Sequence, residues 1–386
     1  MHHSASLHQR SAESSANADQ LRGGAALQSA AEDFTQFTYD SGLDFGSGHV
    51  ELTHTVIASL ATKPFMIFSG LSGAGKTRLA VALGQWFGRE RYLIQPVRPD
   101  WTSPDALLGN VMTANTADGR YAWYVPRTLE FVLSALRSPR QPFLLVLEEM
   151  NLAHVEQYLA DILSGMESQH PIVPNLQHDG TAWRMRTEQP YLSWPENLYL
   201  VGTINIDETT YAFSPKVIDR ATSIEFRVLP GSLHPDYPEA NAPARAHEQH
   251  LTTLLNRTNG GDSEWRGRDQ LAHSLQHLHR LLFEHDAEFG HRVFRECMRF
   301  GAMMFEAGCT NHAVALDYAI LYRILPKFEH RRQSLALLAA LASFALHGSV
   351  RPTTIDPLAP PSEATPVLPN SYSKALRLAR RAHSSS

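Results

Sequence analysis

The residues best suited to chemistry are contiguous: Gly70-Leu71-Ser72-Gly73-Ala74-Gly75-Lys76-Thr77. They form a complete G-x-x-x-x-G-K-[ST] phosphate loop. Glycines at these positions let backbone N–H groups point at a polyphosphate, and a helix starting there adds its partial positive charge. Lys76 is spaced to reach the β- and γ-phosphates, and Thr77 to offer its hydroxyl to Mg²⁺. A second stretch, Pro142 to Glu149, is an apolar run ending in two carboxylates, the pattern of a Walker B motif. Carboxylates at the C-terminal end of a parallel strand sit where ligands bind in open α/β sheets. Glu148 suits the Mg²⁺ shell, and Glu149 suits orienting or deprotonating an attacking water. A third apolar run, Leu198 to Ile204, ends in Asn205. That amide could hold the same water, or serve equally well as a turn residue.

The elements needed to position these residues are legible. Pro64 to Phe68 reads as a buried parallel strand. Arg78 to Phe87 reads as a helix with Leu79, Leu83 and Trp86 on one face. Strand, glycine loop and helix come in the required order. Arg91 to Val97 is a second strand. The connection from Arg98 to Pro126 is long enough to be functional or a small subdomain, with a hairpin turn at Asp118-Gly119 and with Trp101 and Trp123 as packing anchors. Thr128 caps a helix running to Leu136. Asn151 to Met166 has the spacing of one amphipathic helix, and Pro171 to Trp194 that of a hairpin turning at Asp179-Gly180. Ser214-Pro215 opens a short helix that carries Asp219 and Arg220. Ser223 to Phe226 is the last strand.

Domain boundaries track composition. Residues 1–48 are polar and expected to be disordered, with Phe34, Phe37, Tyr39 and Phe45 docking locally on the adjoining domain. Residues 49–228 form an α/β nucleotide-binding domain. Residues 229–347 form a linker and a helical lid domain. Residues 348–386 form a Pro-rich tail with a short basic helix, whose Lys374, Arg377, Arg380 and Arg381 read as a solvated face. The 386 residues carry a net charge of −5, which excludes a global basic footprint for nucleic acid. Cys297 and Cys309 lack metal or redox spacing and read as reduced packing residues. No run suits a membrane span and no apolar signal core opens the chain, so a cytoplasmic location is expected. The 20 histidines include no H-E-x-x-H spacing.

Taken together, these stretches resemble the AAA+ ATPases, and more closely the McrB-like, dynein-related branch that neighbours the MoxR group. The resemblance runs through Lys63 to Leu79, Leu147 to Ala153, Gly202 to Asn205, Phe213 to Ala221, Glu288 to Arg292 and Leu325 to Lys327. It implies a five-stranded parallel sheet flanked by helices, the AAA+ core, followed by an α-helical lid. Asn205 matches sensor 1. Arg220 matches an arginine finger that reaches a neighbouring subunit's γ-phosphate, so a homo-oligomeric ring, commonly a hexamer, is implied. Arg292 matches sensor 2, reaching from the lid onto the same nucleotide. Without the resemblance, Arg220 and Arg292 would pass as surface arginines. The cofactors implied are ATP and Mg²⁺. GTP is the alternative, but the arginine that GTP-using members carry after the fourth strand is missing from Ile206 to Thr210. The McrB branch powers a separate nuclease subunit on DNA. A MoxR-like chaperone and a scaffold with weak turnover are the other readings; the second is prompted by Glu148, where Asp is usual.

Overall fold

The computed structural model describes residues 25–112, 121–206, 211, 213–228, 248–255, 265–329, 333–351, 355–358 and 364–384. A parallel sheet is built from β1 (Phe65–Gly70), β2 (Tyr92–Pro96), β3 (Phe143–Glu148), β4 (Leu198–Asn205) and β5 (Thr222–Phe226). Their order is β5-β1-β4-β3-β2, and every neighbouring pair is parallel. The apolar runs of β1, β3 and β4 need no polar face, because helices cover both sides of such a sheet. Period-two alternation divides the core. Met66 and Phe68 join one buried cluster with Trp86 and Tyr199, while Phe65 and Ile67 join another with Trp101 and Tyr158.

The first cluster is covered by α1 (residues 25–40), α2 (His49–Thr62) and α3 (Lys76–Phe87), and it continues into the helical C-terminal part. That part contains α6 (Arg268–Phe283), α7 (His291–Glu306), α8 (His312–Ala319), α9 (Leu335–His347) and α10 (Pro369–Ser384). The second cluster is covered by α4 (Arg127–Arg137) and α5 (Ala160–Ser168).

Four expectations change. Residues 25–40 are helical rather than disordered, and Phe34 is fully buried against Trp86, 5.3 Å between ring centres. Leu27, Ala30, Ala31, Phe34 and Phe37 are buried along one helical face, a spacing that the polar composition obscures. The Trp86 indole N–H donates to Asp33 at 2.8 Å, and the expected docking of Phe34 and Phe37 is present. Second, Thr128 is not a cap. Helix α4 begins at Arg127, and the Thr128 hydroxyl donates to the Leu107 carbonyl at 2.7 Å. Third, 151–166 is broken into a 3-10 turn (Met150–Leu152), a short helix (Val155–Tyr158) and α5. Glu149 has a left-handed backbone, φ +50°, and turns the chain sharply off β3. Fourth, Lys374 on the basic C-terminal helix is 3 % exposed rather than solvated.

Between the strands, two hairpins join into one antiparallel sheet, Asn110–Met112, Ala122–Tyr124, Trp183–Met185 and Leu176–His178, meeting at the Trp123–Trp183 pair. A two-stranded pair, Pro171–Pro174 with Tyr191–Ser193, connects it to the body. The turn at Asp179-Gly180 is present, with Gly180 at φ +100°. The turn expected at Asp118-Gly119 lies outside the described residues. Trp101 is buried, and the Trp123 indole donates to the Leu108 carbonyl at 3.0 Å, so both serve as anchors.

Candidate active site

The phosphate loop comes directly after β1 and opens α3. Gly70 lies beside β5: a Cβ there would stand 2.5 Å from the Phe226 carbonyl oxygen. Gly75 has φ +92°, and a Cβ would meet the Phe45 ring at 2.9 Å. These two positions therefore require glycine for space and conformation. Leu71, Ser72 and Gly73 are exposed along the loop, while Ala74 is buried beneath it. Lys76 is 4 % exposed, and its ammonium donates to the Gly70 and Leu71 carbonyls at 3.0 and 2.5 Å. The lysine therefore lies curled along the loop rather than extended into solvent. Thr77 is exposed in the first turn of α3, at a helix N-terminus.

The carboxylates stand at the same edge of the sheet. Glu148 ends β3 half-buried, and burial, together with the neighbouring Glu149 charge, pushes its carboxyl above the usual range. Glu149 is exposed. Its backbone N–H donates to the Thr203 hydroxyl at 3.1 Å, and its Oε1 accepts from the Asn205 amide at 3.3 Å. Asn151 donates to the Asn205 carbonyl at 3.2 Å and fixes the end of β4 from the other side. Gly202 makes room for this turn, since a Cβ there would overlap the Met150 sulfur at 1.9 Å. Asn205 is thus brought onto Glu149, a contact that sequence reasoning, which gave Asn205 either an attacking water to hold or a turn to make, did not specify. Thr203 and Asn151 were missed. Thr203 shares the strand face of Asn205 two residues earlier, a signal the period of β4 offered.

The two arginines lie elsewhere. Lys63, Pro64 and Phe65 mark the N-terminal end of β1, opposite the phosphate loop. There they line a cleft of about 240 Å³ with Leu163, Met166, Glu167, Arg220, Arg292 and Glu296. β1 is six residues long, so roughly 20 Å of strand separates the cleft from the loop. Arg220 donates to Glu167 through Nε at 2.8 Å and through Nη2, and to the Lys216 carbonyl at 2.9 Å. Arg292 donates to the other oxygen of Glu167 and, at 3.4 Å, to the Asp219 carbonyl. The expectation that Arg292 reaches from the lid onto the same nucleotide is therefore corrected. The start of α7 packs beside the Asp219–Arg220 turn, which sends Arg292 to the Arg220 end of the sheet.

Glu296 backs this cluster, accepting from Lys63 at 2.7 Å and from the buried Arg323 at 3.1 Å. Burial and the Arg323 charge bring the Lys63 ammonium down to about 8. Asp219 pairs with Lys327 at 2.6 Å. Lys63, Asp219 and Lys327 fall in stretches that carry the resemblance, while Glu296 and Arg323 do not, and only contact in three dimensions reveals those two.

The strand order, the phosphate loop after β1 and the helical C-terminal part define an α/β AAA+ core with a helical lid. Residues 252–385 match a family model described as a domain of unknown function, DUF8727, which falls on the lid and the C-terminal helix. No curated protein matches the chain. Among solved structures, the chain is similar to one from Cytophaga hutchinsonii described as a "putative ATPase", with 13 % identity, a TM-score of 0.46, and coverage of 76 % of this chain and 83 % of that one. Among the described residues no helix is long and apolar enough to cross a membrane, and no group of three or more His, Cys, Asp or Glu side chains is arranged to hold a metal. Cys297 and Cys309 are free thiols; Cys297 is fully buried.

Proposed function

We propose that the chain is a ring-forming nucleoside triphosphatase, using ATP, whose sites are completed between copies. The observation that carries this is the separation along β1. The phosphate loop, Glu149 and Asn205 stand at one end, and Arg220 with Arg292 at the other. In this reading Gly70 to Thr77 cradle the phosphates of one copy's nucleotide, with Lys76 exchanging its loop carbonyls for phosphate oxygens. Glu149, steadied by Asn205, orients and deprotonates the attacking water. Arg220 and Arg292 of the next copy neutralise charge on the transferred group. Thr77 and Glu148 are oxygen donors of the kind Mg²⁺ takes. The metal would supply charge neutralisation at the phosphates.

The finer reading, supported by motif resemblance, is the motor subunit of an McrBC-like restriction or defence complex, with a separate nuclease chain and DNA as its substrate. A chaperone role uses the same chemistry, and co-purification with a nuclease or another client separates the two. The weak-turnover reading is prompted by one residue: Glu148 is a longer carboxylate than the usual Asp.

The test is mixing. Lys76→Ala and Arg220→Ala should each lose turnover alone. Combined, they should regain part of it, because interfaces form that pair an intact loop with an intact arginine. Steady-state hydrolysis of ATP and GTP, measured with mass in solution and a Glu149→Gln control, reads the outcome. Two dead variants that stay dead when mixed, although both assemble with wild type, would sink the shared-site reading.

A further inference from the structure

Glu167 belongs to none of the motifs, yet a single carboxylate holds both arginines. One oxygen accepts from Arg220 and the other from Arg292. Arg220 comes from the sheet domain and Arg292 from the lid. The Lys216 and Asp219 carbonyls tether both guanidiniums to the same turn. The two forks are thus presented side by side to two oxygens of one anion, which is also how a terminal phosphoryl group is gripped.

We propose that Glu167 is a latch: an internal stand-in for the terminal phosphoryl group of a neighbouring copy's nucleotide, displaced from Arg220 and Arg292 when the interface closes. This rests on the reading of those arginines as acting on a neighbouring copy. One feature drives the exchange, a second permits it and a third opposes it. A terminal phosphoryl group carries more charge and one more oxygen than a carboxylate, so it is the stronger partner for two guanidiniums. The side chains of Glu167, Arg220 and Arg292 are 38, 27 and 40 % exposed, so water can enter and the contact can open. Glu167 also stands one residue before the end of α5, whose cap residue Gln169 is left-handed at φ +57°. A negative charge is disfavoured at a helix C-terminus. The two arginines offset that cost, and closing the interface restores it. Glu167 therefore holds the arginine pair back until a stronger anion displaces it.

Glu167→Gln keeps the size and an acceptor oxygen but removes the charge. Two quantities are read: the protein concentration for half-maximal assembly with a non-hydrolysable ATP analogue, and the turnover number once assembled. The expected result is a roughly two- to fivefold lower assembly concentration, the scale of a partly exposed ion pair, with turnover in the assembled state within about twofold of wild type. Unchanged or weaker assembly, or turnover lost as in Arg220→Ala, overturns the latch. Glu167→Ala repeats the test, with thermal melting to verify the fold. Arg220→Ala and Arg292→Ala are run alongside. If both assemble and turn over as wild type does, the shared-site reading has failed and the latch with it. If both are impaired while Glu167→Gln is silent, only the latch has failed.

Discussion

Glu149 is placed for chemistry at a cost to its own backbone. Its φ of +50° is the left-handed region, which costs a non-glycine residue about 1–2 kcal/mol. Glycine would relieve this but would bring extra unfolded-state freedom of about 0.5–1 kcal/mol. Glu149→Gly should therefore gain up to about 1 kcal/mol in urea denaturation, while nucleotide hydrolysis is lost. A variant that loses stability together with activity would show that the carboxylate's bond to Asn205 outweighs the backbone cost. The glycines, Lys76 and the paired carboxylates were legible in the sequence because a phosphate loop restricts residue types at fixed spacing. Glu149's backbone was not, since nothing in Leu-Glu-Glu-Met announces a left-handed residue. Glu167 was likewise silent, because its role depends on two arginines 53 and 125 positions away.

At the scale of elements, β1, β3 and β4 were readable because buried parallel strands are nearly continuous apolar runs. Helix α1 was misread for the opposite reason. Its apolar residues are few and widely spaced among Ser, Ala and Gln, although they lie on one face. Phe34 fills that face against Trp86. Phe34→Ala should cost about 3–5 kcal/mol, as for other buried aromatic truncations, with the loss measured by denaturant unfolding. A change under about 1 kcal/mol, the range of surface substitutions, would mean that α1 adds little to the core. The same residue-level silence affects α10. Lys374 looks like a surface lysine by composition but is buried against β5, pairing with Glu225 at 2.9 Å and with Glu329. Arg377 joins Glu225 at 2.8 Å. Burial itself would raise the Glu225 carboxyl, and these cations outweigh it and hold it below the usual range. The C-terminal helix is thereby fixed to the edge strand that comes after Arg220.

At the scale of the whole molecule, the sheet fixes where everything else can act. A strand is stiff and its length is set by its residue count, so β1 holds the loop and Arg220 apart whatever the lid does. Sequence patterns singled out the candidate residues but not which end of the sheet Arg292 would occupy. That depends on how α7 docks, and the docking is written in packing and in the Glu296 ion pairs.

The separation along β1 also bears on heredity. An enzyme complete in one chain makes a damaged allele recessive, because good copies work undisturbed beside bad ones. Here a copy carrying both Lys76→Ala and Arg220→Ala would spoil its own loop and also deny an arginine to the copy next to it. Expressed in equal amount beside wild type, it should leave about half of the normal hydrolysis per wild-type chain, and so about a quarter of that of an all-wild-type assembly, in the co-purified assembly. Activity strictly proportional to the wild-type share would show that each chain works alone. If sites are shared between copies as proposed, an allele of this doubly damaged kind is dominant.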